Sequence, residues 1–463
     1  MVKSLPFALI CLIILAGCAS THTSLKQYAG IDKKIEQQDF QGAVDQIKKC
    51  KDDFYSQKDK VLYYLDMGML SYYAGDHVKS NEYFEKAENY IMDNYTKSVS
   101  KAALSMLLND NALEYAGEDY EDIYLNIFKA FNYLELGSLD DAFVEINRIN
   151  IKLNKLEDKY RKMAFELSKS KENKTEIAAG SNKFYNDVLG RYLSMLLFRA
   201  QGKRDDARID IEMIDNAWRE HPEIYDFSKP DLRDYLKDSR RVKYNFNAFV
   251  GKSPVKKART LYIHTEENLL IIAETEQLPE GETKLEDFHT IAWDDIKKGY
   301  HFKFQLPYME KRDTKVAKVK VFVDDLPGLE LFKIEDIGNV ALATYKVKEP
   351  VIYLKTIIRT VAKGLFAKKR KEEIDKEVKN SILNFAARLA TDLAIDATEN
   401  ADLRISRFFP GSILTGEIEL DAGMHTVRFE YYSAAGDLLF TDDLGEIPTL
   451  RNGLNMHNSF YLK

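Results

Sequence analysis

The chain has 463 residues, 45% of them hydrophobic and 30% charged, a globular balance that excludes wholesale disorder and allows two or three domains with real cores. With 67 basic against 74 acidic residues the net charge is -7, which gives no field for polyanions and sets nucleic acid aside as a partner. Of the three cysteines, Cys11 and Cys18 belong to the N-terminal leader region, so a mature chain keeps only the Cys50 thiol and no intramolecular disulfide is expected.

The first element is a leader. One cation, Lys3, precedes an apolar run over residues 5–15, the layout of a secretory signal peptide. The run is shorter than the roughly 20 apolar residues that span a bilayer. Leu15, Ala16, Gly17 and Cys18 then resemble the bacterial lipobox, which implies cleavage between Gly17 and Cys18 and lipidation of Cys18. Two or three acyl chains, palmitate among them, hold stably where one holds reversibly. Residues 18–24 are then a lipidated tether. By resemblance to Gram-negative sorting, Ala19 and Ser20 in place of Asp favour the periplasmic face of the outer membrane, so the expected location is the cell envelope.

Residues 25–239 read as helical repeats. Three glycines, Gly75, Gly137 and Gly202, each lie between two aromatic-rich or apolar helical runs, where a bend favours a residue tolerant of positive φ. These segments resemble the tetratricopeptide repeat, a helical hairpin of about 34 residues. The best copy covers residues 61–94, with Gly68, Gly75, Ser80, Phe84 and Ala87 at the family's small, turn, small, aromatic and small positions. A second has Ala130, Tyr133, Gly137, Ala142, Ile146 and Ile149, and a third Met195, Phe198, Gly202, Ala207, Ile211 and Ile214. A weaker first copy has Phe40 and Ala43, Gln38 in place of glycine, and Cys50 at the last small position, where burial is expected. The glycines lie nearly two units apart, so extra helix is expected over residues 98–108, and the helix after Gly137 is expected to run on to Leu167 before a polar break over 168–181.

Repeats of this type usually bind peptides on the surface lined by each first helix. The matching positions here are Met69, Tyr72 and Tyr73, then Tyr124, Phe131 and Glu135, then Tyr192 and Arg199. They fit an envelope protein or an extended apolar peptide in the groove, or else packing against a neighbouring helix or the C-terminal half.

The helical pattern stops near Arg240, and residues 240–256, with Gly251, Ser253 and Pro254, read as a linker. Residues 257–463 read as a mixed α/β domain, giving an α+β chain. Strands are expected over 261–265 and 269–274, at Val319, Val321 and Val323, at Ile418 and Leu420, and, after a turn at Asp421, Ala422 and Gly423, at Val427, Phe429 and Tyr431. A second turn falls at Ala435, Gly436 and Asp437. They suggest an antiparallel sheet or small sandwich. A helical segment over 353–398 carries an apolar stripe of Ile374, Val378, Ile382, Phe385, Leu389 and Leu393 behind the basic run 368–371.

Taken in order, Pro350, Ile357 through Ala362, Ala401, Asp402, Leu403 and Arg404, Phe409 and Pro410, and Leu420 through His425 are similar to a family of bacterial lipoproteins that join tetratricopeptide-like repeats to a mixed α/β tail. Where that family often has Trp before the proline, this chain has Phe408 and Phe409. Some members accompany lipoproteins that activate peptidoglycan synthases, which implies a place in envelope assembly, and no catalytic residues are defined to carry over.

No catalytic set emerges. The eight histidines show no metal-binding helical spacing, and His289 and His301 are the ones that could meet a carboxylate in the fold. Gly251, Lys252 and Ser253 lack the earlier glycine of a phosphate loop. The expectation is a non-enzymatic scaffold, without metal or cofactor, that docks envelope partners through its repeats. The alternative is a protein that binds or processes peptidoglycan or another glycan through its C-terminal half.

Overall fold

The computed structural model describes residues 20–100, 110–168, 180, 184–277, 283–371 and 400–463. It is α+β, with helices in the N-terminal half and three sheets after them. The leader, the lipobox-like residues, most of 98–108, the polar break other than Ser168 and Gly180, and the stripe from Ile374 to Leu393 lie outside the described residues.

Four helical hairpins follow one another. Helices α1 (Ser20–Glu36) and α2 (Phe40–Lys49) form the first, α3 (Lys60–Tyr73) and α4 (His77–Ser100) the second, α5 (Asp119–Glu135) and α6 (Leu139–Ser168) the third, and α7 (Val188–Ala200) and α8 (Arg204–Glu220) the fourth. Each first helix ends the same way. Gln38, Gly75, Gly137 and Gly202 take φ of 61°, 77°, 76° and 75°. The next N–H reaches back five residues, Asp39 to Lys34, Asp76 to Ser71, Ser138 to Tyr133 and Lys203 to Phe198, at 2.8–2.9 Å. This double backbone closure satisfies carbonyls that a helix end leaves open. The stretch read as a tether is helical over residues 20–24. Cys50 is half-buried, not buried as expected; it sits at the C-cap of α2, where its backbone N–H closes on the Gln46 carbonyl.

Within a hairpin the small residues set the spacing. A Cβ on Gly68 would lie 2.6 Å from the Phe84 ring, and the Ser80 hydroxyl donates to the Gly68 carbonyl at 2.8 Å. Phe84, Ala87, Ala130, Ala142 and Ala207 are all fully buried.

The region read as a linker, residues 240–256, holds a central strand, and the loop expected there is confined to residues 251–254. β1 (Val242–Val250) lies between β12 (Asn455–Tyr461), its one parallel neighbour, and β9 (Ser412–Leu420), with β8 (Phe332–Asp336) beyond. It is buried on both faces: Tyr244, Phe246, Ala248 and Val250 on one, Asn245, Asn247 and Phe249 on the other. The polar asparagines hide the strand in the sequence, and each finds a hydrogen-bond partner inside. The second sheet, ordered β11 (Leu438–Thr449), β10 (Gly423–Ser433), β6 (Val316–Val323) and β7 (Leu329–Glu330), closes a sandwich over the first. Val319, Val321, Val323, Val427, Phe429 and Tyr431 meet Phe246, Ala248 and Leu414 in its core.

The third sheet, ordered β4 (Thr283–Ala292), β3 (Leu269–Gln277), β2 (Val255–Glu266) and β5 (His301–Glu310), packs on α9 (Ile337–Lys371). That helix starts well before residue 353 and runs straight through Pro350. Proline has no N–H to give the Lys346 carbonyl, and the helix continues past that missing bond.

Candidate interaction groove

The first helices α1, α3, α5 and α7 line the side of the hairpins that faces the first sheet. Aromatic side chains form its floor and the sheet supplies the ceiling. Tyr72 meets Phe249 and Phe460 with ring centroids 6.1 and 5.6 Å apart, Tyr73 meets Phe460 at 4.9 Å, and Phe131 meets Phe249 at 5.4 Å. Met69 is fully buried beneath them.

The polar groove residues are equally taken. Tyr73 donates its hydroxyl to the Phe408 carbonyl at 2.8 Å, and Asn458 donates to Glu135 at 3.0 Å. The Tyr124 hydroxyl donates to Asp187 at 3.2 Å. Tyr192 donates to Asn245 at 3.2 Å and accepts from Thr415 at 3.0 Å, and Arg199 donates to Glu417 at 3.0 Å. All the positions expected to receive a partner peptide are therefore buried or bonded within the chain, by the C-terminal half at Tyr72, Tyr73, Phe131, Glu135, Tyr192 and Arg199 and by Asp187 of the helical half at Tyr124. These contacts are the second of the two alternatives read from the sequence, packing against a neighbouring helix or the C-terminal half. Aromatic rings that water would otherwise cover have found an apolar sheet face on their own chain.

One stretch lies in the groove as an extended peptide. Residues 400–411 form no helix or strand, yet Ser406, Phe408 and Phe409 are buried. At one end Asn111 donates to the carbonyls of Asn400 and Ala401 at 3.0 and 3.1 Å. Arg404 spreads its guanidinium over Asp402, Asp59 and the carbonyls of Asp110 and Leu113. Next, Ser406 donates its N–H to Glu121 and its hydroxyl to Asp66, and the Arg407 N–H also donates to Asp66. Phe408 then packs on Tyr28, and Phe409 on Tyr120 and Phe128. Side-chain carboxylates replace the ladder bonds that this backbone lacks.

Those two carboxylates are wholly buried. Burial pushes Asp66 up to about 6, against the lowering effect of hydrogen bonds from Tyr55 and Ser406. Burial and then the Glu118 charge push Glu121 up to about 7. Glu118 itself is paired with Lys256 and Lys348. Further along, burial raises Asp187 and Glu335, which lie where α7 meets β8. Asp32 on α1 pairs with Lys252 at 2.9 Å and Arg407 at 3.1 Å, tying the first helix to the same segment.

The sequence does not mark Asp66, Glu121 and Ser406 as a set, because the bonds that join them cross 285 and 340 residues, while local bonds such as Tyr55 to Asp66 and Tyr115 to Glu121 give no sign of it. Among the described residues no helix is long and apolar enough to cross a membrane, and no three His, Cys, Asp or Glu side chains converge as a metal-holding group. Comparison with known proteins returns no match: no family model fits the chain, and no curated protein or solved structure is significantly similar to it.

Proposed function

We propose that this chain is a non-enzymatic lipoprotein of the cell envelope, tethered through Cys18 to the periplasmic face of the outer membrane, whose tetratricopeptide-like hairpins act as an internal cradle. The cradle fixes the β-rich half beside the anchor and leaves partner docking to surfaces outside the groove. The observation that carries this reading is the occupancy of the groove: Tyr72, Tyr73, Phe131, Glu135, Tyr192 and Arg199 are all engaged by the chain's own C-terminal half. The lipobox-like Leu15, Ala16, Gly17 and Cys18 support the tether, and α1 begins two residues later, already bound through Asp32 to the body. Outside the groove, the cleft between α4 and α6 exposes Val78, Met92, Leu136, Val144 and Ile151, apolar surface of the kind that marks interaction sites.

Three measurements test the proposal together. Replacing residues 1–18 by a cleavable secretory leader that ends without cysteine is expected to move the chain from the membrane fraction to the soluble envelope fraction, and in-cell photocrosslinking from Met92 or Ile151 is expected to capture an envelope protein. A natural chain that takes up no labelled palmitate at Cys18 refutes the tether. Capture of a partner from Tyr73, with none from the outer cleft, refutes the internal cradle.

A further inference from the structure

The third sheet brings together two histidines that lie far apart in sequence. Strands β2 and β5 run antiparallel with His264 directly opposite His301. Directly opposite residues share a face, and this one lies away from Ile263, Phe304 and Leu306, which are buried with α9. Both imidazoles are half-buried, so ions in solution can reach them.

Their geometry matches the bite of a metal ion. The two Nδ1 atoms are 3.2 Å apart, with ring centroids 4.6 Å apart and planes 20° from parallel. Two nitrogens that each lie about 2.0–2.1 Å from one tetrahedral Zn2+ are separated by about 3.3 Å. With no ion between them the two nitrogens share a hydrogen bond, and the strand pairing holds the side chains at that separation; rotation of the rings about χ2, a broad torsion, is what turns both lone pairs onto one ion.

Glu266 selects the ligating atom. Its Oε1 lies 3.2 Å from His264 Nε2, so the carboxylate holds the imidazole proton there and leaves Nδ1 as the basic nitrogen facing His301. A carboxylate behind a ligating histidine fixes its tautomer and ring orientation. Imidazole nitrogen favours zinc, copper and nickel over the oxygen-seeking magnesium and calcium.

We propose that His264 and His301 form a two-imidazole site for a first-row transition-metal dication of the zinc class, with Glu266 positioning His264. The test is titration of the full chain with Zn2+ by calorimetry. One ion per chain is expected, weakened at least tenfold in His264→Ala and in His301→Ala and about tenfold in Glu266→Gln, with no heat from Mg2+ at the same concentration. A thermal melt separates binding from folding damage: saturating Zn2+ is expected to raise the Tm of the wild-type chain and to leave that of His301→Ala unmoved. The proposal is overturned if the wild-type chain takes up no Zn2+, or if both histidine variants bind it as tightly as the wild type.

Discussion

Asp66 shows how a single side chain joins the two halves. It accepts from Tyr55 at 2.8 Å, from Tyr28 at 3.4 Å and from the Ser406 hydroxyl at 2.8 Å, and the Arg407 N–H completes the set. Asp66→Ala strands these donors without water, at roughly 1–3 kcal/mol for each buried group left unmade. A loss of about 3 kcal/mol is expected in urea unfolding, while a surface change such as Asp205→Ala stays within about 0.5 kcal/mol. The raised carboxyls also set the pH response. Asp66 at about 6 and Glu121 at about 7 bind protons in the folded chain more tightly than their ordinary values of 3.8 and 4.5 allow once unfolded. Their stabilising effect is complete at low pH and is lost as pH rises through 6 and 7. Glu88 and Asp110 act in the opposite sense. Burial raises them, but Lys152 and Lys129 hold Glu88 at about 2, and Lys355 and Arg359 hold Asp110 at about 2. Their contribution is lost as pH falls below about 4. Urea midpoints measured across pH are expected to peak near about pH 5 and to fall on both sides; a midpoint that climbs steadily from pH 5 to 8 would show the buried carboxyls to be ionised and well solvated.

At the scale of elements, the hairpins make different demands on glycines that look alike in sequence. Gly75 has φ of 77° and open space around it, so Gly75→Ala costs only the left-handed backbone, about 1–2 kcal/mol. Gly68 has ordinary helical backbone but faces the Phe84 ring at 2.6 Å, so Gly68→Val forces two helices apart and costs at least about 2 kcal/mol. Thermal unfolding of the two variants distinguishes the causes: adding Phe84→Ala is expected to relieve Gly68→Val and to do nothing for Gly75→Ala. These hairpins were legible because turn glycines and small-residue contacts are local. Val319, Val321 and Val323 were legible for the same reason, alternation within one strand. β1 was not, because Asn245 and Asn247 are polar residues in a strand buried on both faces, and their partners come from β12. The start of α9 was missed because Pro350 reads as a helix boundary, although the structure carries the helix through it. The Gln38 turn departs from the glycine pattern yet keeps the same geometry, with its side-chain amide donating to the Phe460 carbonyl at 3.2 Å.

The whole molecule is layered: helical hairpins, then the sheet containing β1, then the second sheet, with the third sheet and α9 packed alongside. The middle sheet serves two cores at once, so separating the halves exposes aromatic surface on both. Residues Tyr72, Tyr124, Phe131 and Tyr192 pointed to a groove from the sequence alone, but its occupant is set by pairings such as Tyr73 with Phe408 that no local pattern encodes.

Amide hydrogen exchange at Ser406 and Arg407 in the intact chain tests the filled groove most directly. These residues lie in neither helix nor strand, yet their N–H groups are held by Glu121 and Asp66. Protection equal to that of the central strand β1, lost only on global unfolding, is the expected result. Exchange at the rate of the exposed turn at Gly436, while β1 stays protected, would show that the segment leaves the groove in solution and that the hairpins are open to another ligand.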